Sequence, residues 1–415
     1  MIPNIVGDVV RSVGLSTAMR AAGVVTGLLP IPQPTLLVGA GSSRRLGEVL
    51  SGFGHRKILI VTDRVISKMG LPKTFTAALT AGGTAFVLFD AITADAPIPL
   101  IEKGIALYEK AGCDAVVAFG AGSPMDAAKT IALAVANKKN PRKLVGYFRG
   151  RHAPVPLYAI PTTAGTGSEV TVAAVISDPE TNRKLVIADT RLVPTMAALD
   201  PALMTRLPRP VTAATGMDAL THAIEAYIGQ WSTATTDRMA LAAVGMIYAH
   251  LRVAYANGRN LAAREQMALA STYAGMAFTR ANVGYVHAIA HQLGGKYHTP
   301  HGLANAIMLP HVLRFLSPAI TRKLATLAIR AGVGKEGEKP AILARRFLDS
   351  IDALSRDLGI PQHLDALREA DIPELAKAAC WEADTNYPVP RYMSPDTCAG
   401  LLRNVLPPKA ARSQR

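Results

Sequence analysis

Two rhythms divide this chain. From about residue 35 to 200, short apolar runs alternate with stretches of helical period. Lys57-Ile58-Leu59-Ile60-Val61-Thr62, Ala85-Phe86-Val87-Leu88-Phe89-Asp90 and Ala115-Val116-Val117-Ala118-Phe119-Gly120 show no polar alternation and end in turn residues. That is the pattern of strands buried on both faces of a parallel sheet. Helical stretches over Leu100–Ala111 and Pro124–Ala136 lie between and after them, which predicts βαβ units. Thr171–Ser177 and Lys184–Asp189 flank the turn-rich Asp178-Pro179-Glu180-Thr181-Asn182-Arg183 and predict a β-hairpin. Beyond about residue 205 the strand signal stops. Helical patterns run from Pro210 to about Arg330 and again from Pro340 to Asp357, and three prolines within Pro201–Pro210 mark a boundary. The expected organisation is an extension over 1–34, an α/β domain over 35–205 and an all-α domain over 206–415.

Composition narrows the classes. Of 415 residues, 49% are hydrophobic and 18% charged, which excludes disorder. Three separated cysteines, Cys113, Cys380 and Cys398, exclude a disulfide scaffold and a cysteine-ligated zinc, and fit a reducing compartment. The balance of 45 Lys+Arg against 30 Asp+Glu gives +15, which attracts polyanions. With aromatics at 5% and basic residues scattered, nucleic-acid binding is not expected as the main role. No uncharged apolar run reaches the about 18 residues of a membrane span. The first 30 residues, with Arg11 and Arg20 against Asp8, read as a helix packed on the protein's own surface. A cytoplasmic location is expected, with an organelle presequence as the alternative.

Candidate chemistry begins at Gly120-Ala121-Gly122-Ser123-Pro124, which follows an apolar strand and opens a helix. Small residues admit a ligand close to the backbone, Ser123 suits the helix cap and Pro124 the first turn. Free amides at a helix start form an anion site suited to pyrophosphate. The spacing is neither a Rossmann nor a P-loop fingerprint. Asp63, ending an earlier strand, is placed to accept from an adenosine ribose and favour NAD over NADP; the alternative is a cap on the helix starting at Arg64.

The helical half concentrates histidine. Asp218 and His222 share one helix face at i,i+4, and His287 and His291 repeat that spacing. Tyr297-His298-Thr299-Pro300-His301-Gly302 adds two more, so six of ten histidines fall between His222 and His301. His250, without a partner in its segment, reads as a core residue. One carboxylate and three imidazoles suit a divalent first-row metal, which polarises a carbonyl or lowers an alcohol's pKa.

These segments resemble the iron-containing, or group III, alcohol dehydrogenases. The likeness rests on Gly120–Asp126, on Pro161-Thr162-Thr163-Ala164-Gly165-Thr166-Gly167-Ser168-Glu169, on Gly216–Tyr227 and on His287–His301 continuing through Asn305-Ala306, in family order. It implies an α/β dinucleotide-binding domain followed by an all-α metal-binding domain, as in dehydroquinate synthase. By motif matching, Asp218, His222, His287 and His301 take the metal positions and His291 that of a proton-relaying histidine. Gly122, Ser123, Thr162, Thr163 and Thr166 match residues on the pyrophosphate and nicotinamide side, with Asp126 and Thr171 as weaker candidates. Asp63 matches a ribose-binding carboxylate and Lys184 a lysine near the cofactor. The implied cofactors are Fe²⁺ and NAD, with Zn²⁺ bound at least as tightly by such a site. The implied partners are a small alcohol or aldehyde and further copies of the chain, as a dimer.

Two departures from the family pattern stand out. Ala121 replaces a middle glycine, harmless only at negative φ. Thr93-Ala94-Asp95-Ala96-Pro97 lacks the usual Pro-Asn-Pro or Pro-Glu-Pro, and Asp95 is expected to weaken or reshape contacts with a phosphate-bearing ligand. His298 reads as a wall residue rather than a fifth ligand. Glu225 either orients an imidazole or serves helix pairing. The expected reaction is NAD-dependent interconversion of an alcohol with its aldehyde or ketone. The rivals are a hydroxyacid–oxoacid transhydrogenase and, more remotely, a dehydroquinate-synthase-like lyase.

Overall fold

The computed structural model describes residues 29–181 and 183–408, together with the helical positions Met19, Gly23 and Gly27. The expected surface helix, the presequence alternative, Asn182 and residues 409–415 therefore lie largely outside the described residues.

The chain divides into two units. One comprises Pro30–Pro208 and Asn257–Gly275; the other holds Arg209–Ala256 and the chain from Met276 onward. The first unit is built on a six-stranded parallel sheet. Its strands are β1 (Thr35–Val38), β2 (Lys57–Asp63), β3 (Ala85–Ile92), β4 (Ala115–Gly120), β6 (Leu157–Pro161) and β9 (Met196–Leu199), in the order β1-β9-β6-β4-β2-β3. β5 (Gly146–Tyr147), β8 (Arg183–Ala188) and β7 (Ala173–Asp178) form a small second sheet whose β7–β8 pair is the expected antiparallel hairpin.

Alternate residues of each central strand serve opposite cores, as the two-residue period demands. Leu59, Val61, Val116, Ala118 and Ala159 face one cluster with Ile101 and Ile131 of α4 (Ile98–Ala111) and α5 (Gly122–Asn137). Ile58, Ile60, Val117, Phe119 and Ile160 face the other with Leu46, Leu50, Phe75 and Leu79 of α1 (Ser42–Gly52) and α3 (Lys73–Ala81). Both faces being covered, the strands read as continuous apolar runs. The chain leaves β2 for β3 at the sheet edge, then returns to β4 on β2's other side. The order thus reverses between β2 and β4, where loops at strand carboxyl ends receive ligands in such sheets. Asp63, followed by the short α2 (Arg64–Lys68), and Gly120–Ser123 are those loop residues.

The second unit is helical: α6 (Arg209–Ile228), α7 (Ala234–Ala256), the end of α8 (Leu261–Ala281), α9 (Tyr285–Tyr297), α10 (His301–Arg330), α11 (Pro340–Asp357), α12 (Ile372–Asn386) and α13 (Pro395–Arg403). α6 is buried on every side from Gly216 to Ile228, so it has no polar stripe and forms the unit's centre. α10 carries Pro310 and Pro318 and kinks at Ile320, where proline removes ladder bonds. By length and composition α7 and α10 reach the range of a membrane span. Here α7 packs on α6, and α10 packs on α6 and α11.

Within the stretch 206–415 expected to be one all-α domain, Asn257–Gly275 groups with the α/β unit. There Thr272 donates to Glu169 Oε1 at 2.7 Å, a tie no local pattern announces.

Candidate functional site

In the helical unit, α6 carries Asp218 and His222 one turn apart, α9 carries His287, and α10 begins at His301. One donor atom from each of these four lies within 4.8 Å of all the others. α10 approaches α6 closely at its start. A Cβ on Gly302 would lie 2.5 Å from the Ala214 carbonyl and 3.2 Å from Asp218 Cβ, so glycine after His301 lets the two helices meet at the site.

The neighbours of the four set their chemistry. Glu225 Oε2 lies 2.6 Å from His287 Nδ1 and its Oε1 accepts from the Val286 amide at 2.8 Å. The Asn305 amide nitrogen donates to Asp218 Oδ1 at 2.7 Å and lies 3.2 Å from both His287 Nε2 and His301 Nε2. Glu225 and Asn305 therefore favour one tautomer of His287, with the proton on Nδ1 and the Nε2 lone pair facing the other donors. Burial pushes His287 well below the usual imidazole range, helped by His222, His301 and His291 around it. A neutral imidazole is the form that ligates a metal. Burial also raises the Glu225 carboxyl, to about 7, against the pull of backbone hydrogen bonds from Gly284, Val286 and His287. The rings stack: His222 lies 4.5 Å from His287 on one side and 4.2 Å from Phe278 on the other. One carboxylate and three nitrogens, desolvated and braced, fit Fe²⁺ or Zn²⁺.

Glu225 is thus an imidazole-orienting carboxylate, but its partner is His287 on α9, not its sequence neighbour His222. Glu225→Gln is expected to weaken iron or zinc binding by roughly 10–100-fold, read by chelator competition, with the fold intact. Unchanged affinity would show that Glu225 only packs.

His291 stands one turn beyond His287, its ring stacked at 5.4 Å on His301. Its Nδ1 lies 2.6 Å from Glu382 Oε1, which also accepts from Tyr387 at 2.6 Å, while Gln292 donates to Oε2 at 2.7 Å. Burial pushes Glu382 up, but His291 and these three hydrogen bonds outweigh it and hold the carboxyl below its usual range. His298 caps α9 in the left-handed conformation and is not one of the four.

In the α/β unit, α5 starts at Gly122, its cap two residues earlier than expected. Ala121 is the N-cap, with no side-chain cap bond, and Ser123 lies inside the first turn. Ser123 thus does not cap; its Oγ accepts from the Asp95 amide at 3.1 Å. A helix start without a side-chain cap keeps its amides for an anion. Ala121 sits at φ −83°, so its methyl costs nothing there. A Cβ on Gly120, by contrast, would lie 2.6 Å from Pro124, which excludes other residues.

Thr162 is tied to this turn, its amide donating to the Gly120 carbonyl at 3.1 Å. Thr163 and Thr166 are half-buried, and Thr166 Oγ1 accepts from the Ser168 amide at 3.2 Å. Asp63 does cap α2: its Oδ1 accepts from Val65 at 2.8 Å and Ile66 at 2.9 Å, leaving Oδ2 outside the cap. Lys184 pairs with Asp95 at 2.8 Å.

Asp126 and Thr171 belong to a buried network that sequence reasoning missed, centred on Lys129. Its ammonium donates to Thr171 O at 2.9 Å, Thr171 Oγ1 at 2.8 Å and Ala173 O at 2.9 Å. Desolvation lowers Lys129 to about 8 against Asp126 and Glu169. Desolvation raises Asp126 to about 6, opposed first by Lys129. The Thr171 hydroxyl is engaged here, binding α5 to the hairpin. A spacing of three residues between Asp126 and Lys129 was the available signal, as was the i,i+4 spacing of Asn305 from His301; Glu382 had none beyond its residue type.

Comparison with known proteins adds independent evidence. Residues 33–201 match the family described as "Iron-containing alcohol dehydrogenase", and 212–406 match "Fe-containing alcohol dehydrogenase family, C-terminal". The chain is 43% identical over 339 residues to the 1,3-propanediol dehydrogenase of Citrobacter freundii, covering 80% of this chain and 87% of that one. It is 36% identical over 375 residues to the NAD-dependent methanol dehydrogenase of Bacillus methanolicus, covering 90% and 98%. The crystal structure of a 1,3-propanediol oxidoreductase superposes with a TM-score of 0.88 at 38% identity, covering 91% of this chain and all of that one.

Proposed function

The chain belongs to the iron-containing alcohol dehydrogenase family, and from that premise we propose that it interconverts short primary alcohols or diols and their aldehydes. In this reading Asp218, His222, His287 and His301 hold one divalent metal. The supporting observation is the meeting of those four donors within 4.8 Å, backed by Glu225 and Asn305. Ferrous iron bound there supplies Lewis acidity toward an alcohol oxygen, and NAD supplies the hydride acceptor.

The remaining work falls to the chain's own groups. Asp218 contributes the one negative charge among the four donors, so a dication keeps net positive charge. Glu225 and Asn305 hold the ligands in place before substrate arrives, which removes reorganisation from the reaction. His291, its Nδ1 held by Glu382, presents Nε2 to accept the alcohol's proton and pass it to solvent. On the α/β unit, the first-turn amides of α5 with Ser123, Thr162, Thr163 and Thr166 bind the pyrophosphate and nicotinamide side, and Lys184 lies beside them. Asp63 Oδ2 accepts from the adenosine ribose. The names of the relatives, a propanediol and a methanol dehydrogenase, support the choice of small alcohols.

Freshly purified protein is expected to carry iron or zinc and to form NADH steadily from 1,3-propanediol or methanol alone. Alcohol oxidation that stops after about one turnover of bound cofactor and resumes when an oxoacid is added to take up the hydride, with no NADH accumulating, would replace this reading with the transhydrogenase. Asp63→Ser keeps a cap-competent side chain and removes the charge. It is expected to narrow the NAD-over-NADP preference in kcat/KM by about tenfold; an unchanged ratio rejects the ribose role.

A further inference from the structure

We propose that Asp95 is a built-in competitor of the cofactor's phosphates, lowering dinucleotide affinity by holding Lys184 in an ion pair beside the phosphate loop; this rests on the NAD reading above. Asp95 lies in the loop after β3, and its placement is over-determined. Asp95 and Ala96 both adopt left-handed backbone, φ 62° and 44°. Two consecutive non-glycine residues there cost free energy that the surroundings must supply.

The surroundings are specific. The Asp95 amide donates to Ser123 Oγ at 3.1 Å, and the Ser177 amide donates to the Ala96 carbonyl at 3.3 Å. Pro97 bridges Ser177. The loop is thereby fastened to the first turn of α5 on one side and to the β7–β8 hairpin on the other. This fixes the Asp95 carboxylate 2.8 Å from Lys184 Nζ on β8.

The start of a helix without a side-chain cap is where an anion is favoured, and a nearby ammonium adds to that preference. Here the ammonium already has an anionic partner. A phosphate that recruits Lys184 must displace Asp95 or share the cation with it, and the carboxylate then stands as a like charge near the incoming group. Both effects weaken binding and hasten release. Release of a bound product limits turnover in many enzymes, so a weaker hold on the reduced cofactor has kinetic value.

The test is titration of metal-loaded, full-length protein with NADH, followed by the fluorescence of the bound nicotinamide. Asp95→Asn preserves a residue type that accepts left-handed backbone and removes only the charge. It is expected to tighten NADH binding about two- to fivefold, the scale of a partly exposed ion pair, with a matching fall in the dissociation rate and a steeper weakening by salt, because the Lys184 charge then acts on the phosphates uncompensated. Lys184→Met is expected to weaken binding, and Asp95→Asn added to Lys184→Met to give no gain. Unchanged or weaker binding in Asp95→Asn overturns the proposal, as does an equal gain in the Lys184→Met background. If the wild-type protein itself fails to bind NADH, the cofactor reading falls and this proposal with it.

Discussion

His287→Ala is expected to purify folded, with iron and zinc reduced to trace levels and NADH formation lost. His287 is buried, its Nε2 faces Asp218 and His301 through the Asn305 amide, and its Nδ1 is braced by Glu225. Removing it deletes one nitrogen donor and leaves the buried Glu225 carboxyl without its imidazole. Loss of an outer partner costs roughly 10–100-fold in metal affinity, and loss of a ligand costs more. Metal content by elemental analysis and activity measured on the same sample check this. Circular dichroism separates metal loss from unfolding, and His287→Gln, whose amide still reaches toward Glu225, serves as the milder variant. A His287→Ala protein with full metal and full activity would refute the ligand assignment.

Lys129→Ala is expected to destabilise the α/β unit by about 1–3 kcal/mol for each buried acceptor it strands. Its ammonium alone satisfies two backbone carbonyls and the Thr171 hydroxyl, and faces buried Glu169 and Asp126. Removing it strands acceptors that cannot reach water. Denaturant unfolding measures the loss, and a change within experimental scatter would show that the network is dispensable.

The same lysine gives stability a pH dependence whose sign is fixed. Its pKa is about 8 when folded, against 10.5 as the ordinary value. Between those values the unfolded chain binds the proton and the folded chain does not, so stability rises with pH across that window and the penalty is complete below about 8. Lys129→Met removes this contribution. The difference in stability between wild type and Lys129→Met should therefore change across pH 8 to 10.5, with a separate change at lower pH where Asp126, at about 6 beside Lys129, loses the lysine's pull.

Much of the architecture was legible beforehand. The β2 and β4 runs were legible as strands covered on both faces, because no alternation offered a polar side to water, whereas β3, read the same way, is the edge strand and leaves Phe86 and Leu88 exposed. The β7–β8 hairpin followed from its turn-rich loop, and the helix after Gly120 from its small residues and proline. The start of that helix was misplaced. Ser123 looked like a cap because its residue type suits one, but a hydroxyl already engaged by the Asp95 amide has left that role. Asp63 turned out to cap α2, as one of its two readings required.

The sequence by itself determined the residue types at the helical site and their spacing, since i,i+4 pairs on one helix must share a face. It determined the two-part organisation, because hydrophobic period is a local property. Only the tertiary structure decided which carboxylate braces which imidazole: Glu225 reaches His287, 62 positions away, and Glu382 reaches His291 across 91. Only it decided that Lys129 is a buried linchpin, that Asp95 holds Lys184, and that Asn257–Gly275 joins the α/β unit. Each is a contact between segments distant in sequence. Such contacts depend on how helices and strands pack in three dimensions, which no local pattern of residues encodes.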